Sequence, residues 1–303
     1  MHTAKTRSII GGVLLLMSVL VPAFAAQSLP LPSEQPNAQP ISVQTQGSGT
    51  DVILIPGLAS SRDVWADLAS DLRKNHRVHL VELAGFAGTP AIPNPGGKVV
   101  APAADAIAEY IHTQHINAPA IVGHSLGGEI ALMLGARHPD RVGRLMIVDA
   151  LPFYTLMIDP AATSETAARQ ATTMRDWLLA QSPEQIEESQ KIAIARLAKT
   201  ESVRPALVAA GIHSDRKTVA NAVYELMITD LRPELGRITA PIEVVYAYDP
   251  LFGIPAASVD KMYRHAYASA KDVQFTRIDD SFHFVMLDQP ERFTRAVESF
   301  LNK

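Results

Sequence analysis

The sequence predicts an α/β domain, a mostly parallel and doubly wound sheet with a helical cap inserted late in the chain. Three observations carry this. Short continuous apolar runs such as Val52-Ile53-Leu54-Ile55 and Ala120-Ile121-Val122 lack the polar alternation of a half-exposed strand, so both of their faces must be covered. Between such runs lie stretches with apolar residues at helical spacing, and this alternation calls for right-handed crossovers and parallel strands. From Leu151 to about Arg232 the alternation stops and helical segments succeed one another.

The chain opens on a leader. His2, Lys5 and Arg7 form a basic start, Ile9 to Val21 is apolar, and Pro22-Ala23-Phe24-Ala25-Ala26 supplies small residues with Ala23-Phe24-Ala25 as an A-x-A cleavage site. This reads as a secretory signal peptide over 1–26, since the apolar core is shorter than the ~20 residues a spanning helix needs. It implies a periplasmic or secreted protein with no stable membrane anchor after cleavage. The absence of cysteine excludes disulfides and lipid attachment through an N-terminal cysteine. Residues 27–50, with Pro30, Pro32, Pro36 and Pro40 among many Gln, Ser and Asn, are expected to form a flexible linker. A net charge of −4 offers no basic surface for nucleic acid.

The core is expected over 51–150 and 233–303, with the cap over 151–232. Asp51 to Ile55 forms the first strand, followed by Pro56-Gly57-Leu58-Ala59-Ser60-Ser61 and a helix through Trp65 and Leu72. Val78 to Leu83 is a second strand, and its following loop carries Phe86, which faces a pocket in this reading. Ala103 to His115 is helical, Ala118 to Val122 is a strand, and Leu126 to Ala136 is again helical. Leu145 to Val148 is a strand ending at Asp149. In the cap, helices are expected around 167–180, 183–198 and 202–210. Ile242 to Tyr246 and Val273 to Ile278 complete the strands, and a closing helix spans 287–301.

The chemistry gathers at Gly123-His124-Ser125-Leu126-Gly127-Gly128. A strand followed by a glycine-flanked serine and an apolar helix reads as a nucleophile elbow, in which a sharp turn lifts the hydroxyl clear of its neighbours. The turn is crowded, so its flanking positions must be small. Acyl transfer also needs two preorganised backbone donors for an oxyanion. The N–H groups of Leu126, just after the serine, and Leu58, in the loop after the first strand, are the candidates.

Ser125, Asp249 and His283 each follow a predicted strand at its C-terminal end, in the order Ser, Asp, His. With Ile55-Pro56-Gly57-Leu58, the elbow, His138-Pro139-Asp140-Arg141-Val142, Pro241 to Pro250 and His283 to Pro290, the chain resembles the α/β-hydrolase superfamily from Asp51 to Leu301. The resemblance is to its capped, esterase-like members with a serine nucleophile. It implies the α/β-hydrolase fold and a triad in which Ser125 attacks, His283 moves the proton and Asp249 orients the imidazole, with Leu58 and Leu126 amides holding the oxyanion. Some relatives have an arrangement with the acid one strand earlier, which keeps Asp149 as the reserve acid.

The chain departs from the family pattern in places. Pro56 stands where His is common, Phe282 where glycine often precedes the histidine, and Ala247 where glycine is common. The remaining histidines are scattered, and His112 with His115 lacks the further ligands a zinc site requires. No dinucleotide or phosphate-cradling motif occurs, so neither cofactor nor metal is expected. The parts describe a serine hydrolase of the EC 3.1.1 type that cleaves a small-molecule carboxylic ester through an acyl-enzyme. C–C bond, lactone, amide or peptide hydrolysis, or a low-turnover ligand-binding role, are the alternatives on the same fold. The peptidase alternative requires cap carboxylates placed on a substrate amine, for which Glu187, Glu188 and Glu201 are the candidates.

Overall fold

A computed structural model describes residues 39–93 and 96–303. The expected signal peptide and the start of the expected linker lie outside the described residues. The rest of that linker is not a tether. Ile41–Gly47 forms strand β1, paired antiparallel to β3 (His76–Leu83) from Ile41 opposite Leu83 to Gly47 opposite Arg77. Its Gln, Ser and Thr content reflects its place at the sheet edge, where half of its side chains face solvent and only Ile41, Val43 and Gln46 are partly covered.

The other six strands, β3 among them, run parallel to one another. β2 (Thr50–Ile55), β4 (Ala120–His124), β5 (Arg144–Val148), β6 (Ile242–Tyr248) and β7 (Val273–Asp279) complete a seven-stranded sheet in the order β1-β3-β2-β4-β5-β6-β7. The chain is therefore an α/β-hydrolase fold. Burial explains the continuous apolar runs. Ile53 and Ile55 pack on one face, under α2 (Val100–Thr113), α3 (Leu126–Arg137) and α8 (Ala256–Ala266), while Val52 and Leu54 pack on the other with α1 (Ala66–Leu72) and α10 (Pro290–Leu301). Successive side chains of one strand thus enter different cores, which is the period-2 geometry of a covered strand.

The closing helix is split. α9 (Val285–Asp288) ends at Gln289, whose φ of −132° and ψ of 56° are not helical, and Pro290 then opens α10. Between β5 and β6 lie α4 (Ser164–Ala180), α5 (Pro183–Leu197), α6 (Arg204–Ile212) and α7 (Arg216–Ile228). Two of these helices start at reciprocal capping boxes, Thr163 with Thr166 and Ser182 with Gln185, each of which satisfies two otherwise orphaned N–H groups. No helix of the described residues is long and apolar enough to cross a membrane.

Candidate active site

Ser125 sits between β4 and α3 with φ 54° and ψ −119°, a conformation that costs a non-glycine residue about 1–3 kcal/mol and persists only where the surroundings impose it. Here they do. The Ser125 N–H donates to Val148 O at 2.9 Å, and its carbonyl accepts from the N–H groups of Gly128 (2.8 Å) and Glu129 (3.1 Å). A Cβ at Gly123 would lie 2.2 Å from Gly127 O, and one at Gly127 would lie 2.4 Å from Ile55 O. The elbow glycines are therefore dictated by backbone packed against backbone.

The two expected oxyanion donors flank this turn. Leu58 follows β2 and lines the cavity described below, and Leu126 is the first residue of α3. Neither N–H has an acceptor among the described residues. The positive end of the α3 dipole adds to the field beside Ser125.

His283 lies in the loop between β7 and α9. Its Nδ1 donates to Asp149 Oδ2 at 2.6 Å. Asp149 Oδ1 accepts from the Ala247 N–H at 3.0 Å and the Tyr263 hydroxyl at 2.9 Å, so both carboxylate oxygens are oriented. Burial, and then the Asp149 charge, hold the Tyr263 hydroxyl pKa well above its usual value, which keeps it a donor. Asp149, the reserve in the sequence reading, is thus the acid on the histidine.

The expectation for Asp249 is corrected. This buried carboxylate accepts from Lys199 Nζ at 2.7 Å through Oδ2 and from the Leu251 N–H at 2.8 Å through Oδ1. It caps the short turn at Pro250–Phe252 and makes no hydrogen bond with His283. The physical reason is the path of the 280–284 loop. β5 and β6 are neighbours, both end in an aspartate, and the loop carries His283 to the β5 end while Lys199 occupies the β6 carboxylate.

His124 lies inside the elbow motif. It is buried, and its Nε2 donates to the His283 carbonyl at 3.0 Å, which ties the elbow to the histidine loop. Burial, then the nearby His283, lowers the His124 pKa well below the ordinary value, so it stays neutral. Its position inside the elbow was the available signal. One aromatic expectation also changes: Phe86 is fully buried in the core and does not line the cavity, whereas Phe284 does; Phe282 packs near Phe252, with ring centroids 5.8 Å apart.

Ser125, Asp149 and His283 open into a cavity of about 410 Å³, roofed by residues from all four helices between β5 and β6. No hydrogen bond joins Ser125 Oγ to the imidazole among the described residues. Glu187 pairs with Lys191 and Glu201 with Arg204, and neither they nor Glu188 lines the cavity.

Known proteins share the fold. The family model for the alpha/beta hydrolase fold matches residues 51–290. A pimeloyl-[acyl-carrier protein] methyl ester esterase of Chromobacterium violaceum is 29% identical over 263 residues, covering 86% of this chain and 97% of its own. The protein of the same name from Nitrosomonas europaea is 25% identical over 271 residues, covering 86% and 98%. Among solved structures, a thermophilic esterase from Thermogutta terrifontis aligns with a TM-score of 0.68 at 24% identity, covering 86% of this chain and 93% of the other.

Proposed function

The chain belongs to the α/β-hydrolase family, and from that premise we propose that it is a serine hydrolase cleaving carboxylic esters through an acyl-enzyme. The observation that carries the reading is the joint presence, on one cavity, of Ser125 at a strained elbow and of His283 oriented by Asp149. Ser125 Oγ attacks the ester carbonyl while His283 Nε2 takes its proton. Asp149, bonded to Nδ1, fixes the tautomer that leaves Nε2 free to accept and stabilises the imidazolium that forms. The Leu58 and Leu126 N–H groups stabilise the oxyanion. His283 then protonates the departing alkoxide, and in the second half it activates water to release the acid and restore Ser125. The names of the two relatives support an ester over the other bonds, and the cap residues that line the cavity among the described residues are apolar, aromatic or carboxamide.

The test is hydrolysis of p-nitrophenyl esters of increasing acyl length by the purified protein and by S125A. Turnover that S125A lowers by at least about 10³-fold upholds the reading. A folded wild-type protein inactive on every ester overturns it. The leader motif supports export to the periplasm or medium, which N-terminal sequencing of the mature protein checks: a start at Ala26 is expected, and an intact Met1 in the exported fraction refutes cleavage.

A further inference from the structure

The roof of the cavity is built from helix faces with a regular pattern. On α4 the lining residues are Gln170, Met174 and Leu178, and on α5 they begin with Gln190 and continue through Ile194, each at helical spacing. Each face is apolar except at its first position, where it carries one carboxamide. Neither the Gln170 nor the Gln190 carboxamide has a hydrogen-bond partner among the described residues. Gln190 is the more confined. It is half-buried, and a Cβ added at Gly211 of α6 would lie 2.3 Å from its Oε1, so the missing side chain at Gly211 makes the space that the carboxamide occupies.

Equally informative is what the lining omits. Among the described residues around the cavity, the carboxyl and imidazole groups are those of Asp149, His283 and the buried, neutral His124; there is no lysine, arginine or glutamate. An anion carried inside would lose its hydration without gaining a lysine or arginine partner, and would also meet the Asp149 carboxylate. A neutral polar group would find a carboxamide able both to donate and to accept.

Resting on the ester reading, we propose that this cavity selects an uncharged, medium-length acyl chain bearing a neutral oxygen function away from the scissile ester, and that Gln190 is the specificity residue that reads it. A free carboxylate at that position is rejected. The enzyme would accordingly distinguish a neutral form of such a chain from the corresponding free acid.

The experiment measures kcat/KM for three p-nitrophenyl esters of equal chain length, with a methyl terminus, a terminal methyl ester and a terminal carboxylate, alongside p-nitrophenyl acetate. Wild-type protein is expected to favour the terminal methyl ester over the terminal carboxylate by about 100-fold. In Q190L the preference for the terminal methyl ester over the methyl terminus falls about tenfold, the size of one hydrogen bond. G211A, which displaces the carboxamide, shifts the same ratio in the same direction. Equal use of the carboxylate substrate, or a Q190L ratio unchanged from wild type, overturns the proposal while acetate turnover leaves the ester reading standing. Failure on all four esters overturns both.

Discussion

The imidazole Nδ1 of His283 lies 2.6 Å from Asp149 Oδ2, and Asp149 is itself held by the Tyr263 hydroxyl and the Ala247 N–H. The carboxylate on the imidazole therefore belongs to β5, the strand next to the one that ends at Ser125, and its orientation is set from β6 and α8.

The first prediction separates the two aspartates. D149N is expected to lower kcat by about 10³–10⁴-fold, because the amide inverts the hydrogen-bond pattern at Nδ1 and favours the wrong tautomer. D249N, removed from the imidazole, is expected to stay within about tenfold of wild type. Ester hydrolysis by the two purified variants checks this, and a larger loss in D249N than in D149N would return the acid role to β6.

Tyr263 is a positioning residue, since its hydroxyl touches Asp149 and no reacting atom. Y263F is expected to lower kcat about 5–20-fold with KM little changed, in line with one buried hydrogen bond to a charged group. A change confined to KM would place Tyr263 in substrate binding instead.

Lys199 joins the α5–α6 connection to Asp249 and to Asp280, while the Lys199 and Thr200 N–H groups donate to Asp288 and the Phe284 N–H donates to Leu197 O. This clamp fastens the helical insertion to the loop that carries His283. Burial raises the Asp249 pKa, but the Lys199 bond and the Leu251 N–H outweigh it and leave the carboxyl below its ordinary value. A depressed carboxyl contributes stability above the unfolded pKa of about 3.9, and that stability is lost as pH falls through the lower folded value. K199M is expected to lower Tm at pH 7 by a few degrees, modestly because Lys199 is partly exposed, with the gap closing below about pH 4. Thermal denaturation across pH 3–8 measures it, and a gap independent of pH would refute the linkage.

Glu129 gives the opposite sign. It is buried on α3 with Oε1 unpartnered, and burial, then the charge of Glu225, pushes its pKa well above the ordinary value. The folded state then holds a proton that the unfolded chain releases above about pH 4.3, so stability falls as pH rises from there. E129Q removes that penalty and is expected to raise Tm by about 2–6 °C at pH 8, with little change at pH 4. No gain at pH 8 would mean that Glu129 is ionised in the native state.

Much of this protein was legible in local sequence. The apolar runs of β2, β4 and β5 announce strands covered on both faces, because each alternate side chain must enter a core. Gly123 and Gly127 around Ser125 announce the elbow, because no Cβ fits there. β1 was not legible, since an edge strand with one ladder can carry Gln, Ser and Thr and so looks like a linker. α7 and α8 were also missed, although Asp215 and the Ala256 to Ala266 pattern mark them.

What the sequence by itself determined was the set of parts: a covered parallel sheet, a serine on a strained turn, a histidine after the last strand, and an aspartate at the end of each of two neighbouring strands. Strand periodicity and steric crowding act over a few residues, and these parts follow from them. Only the tertiary structure decided which aspartate serves the histidine. That choice depends on where Lys199, 50 residues from Asp249 in the chain, puts its charge, and on how Tyr263 and Ala247 hold Asp149, 134 residues from His283. Charge pairing and hydrogen bonding between such distant residues exist only once the chain has folded.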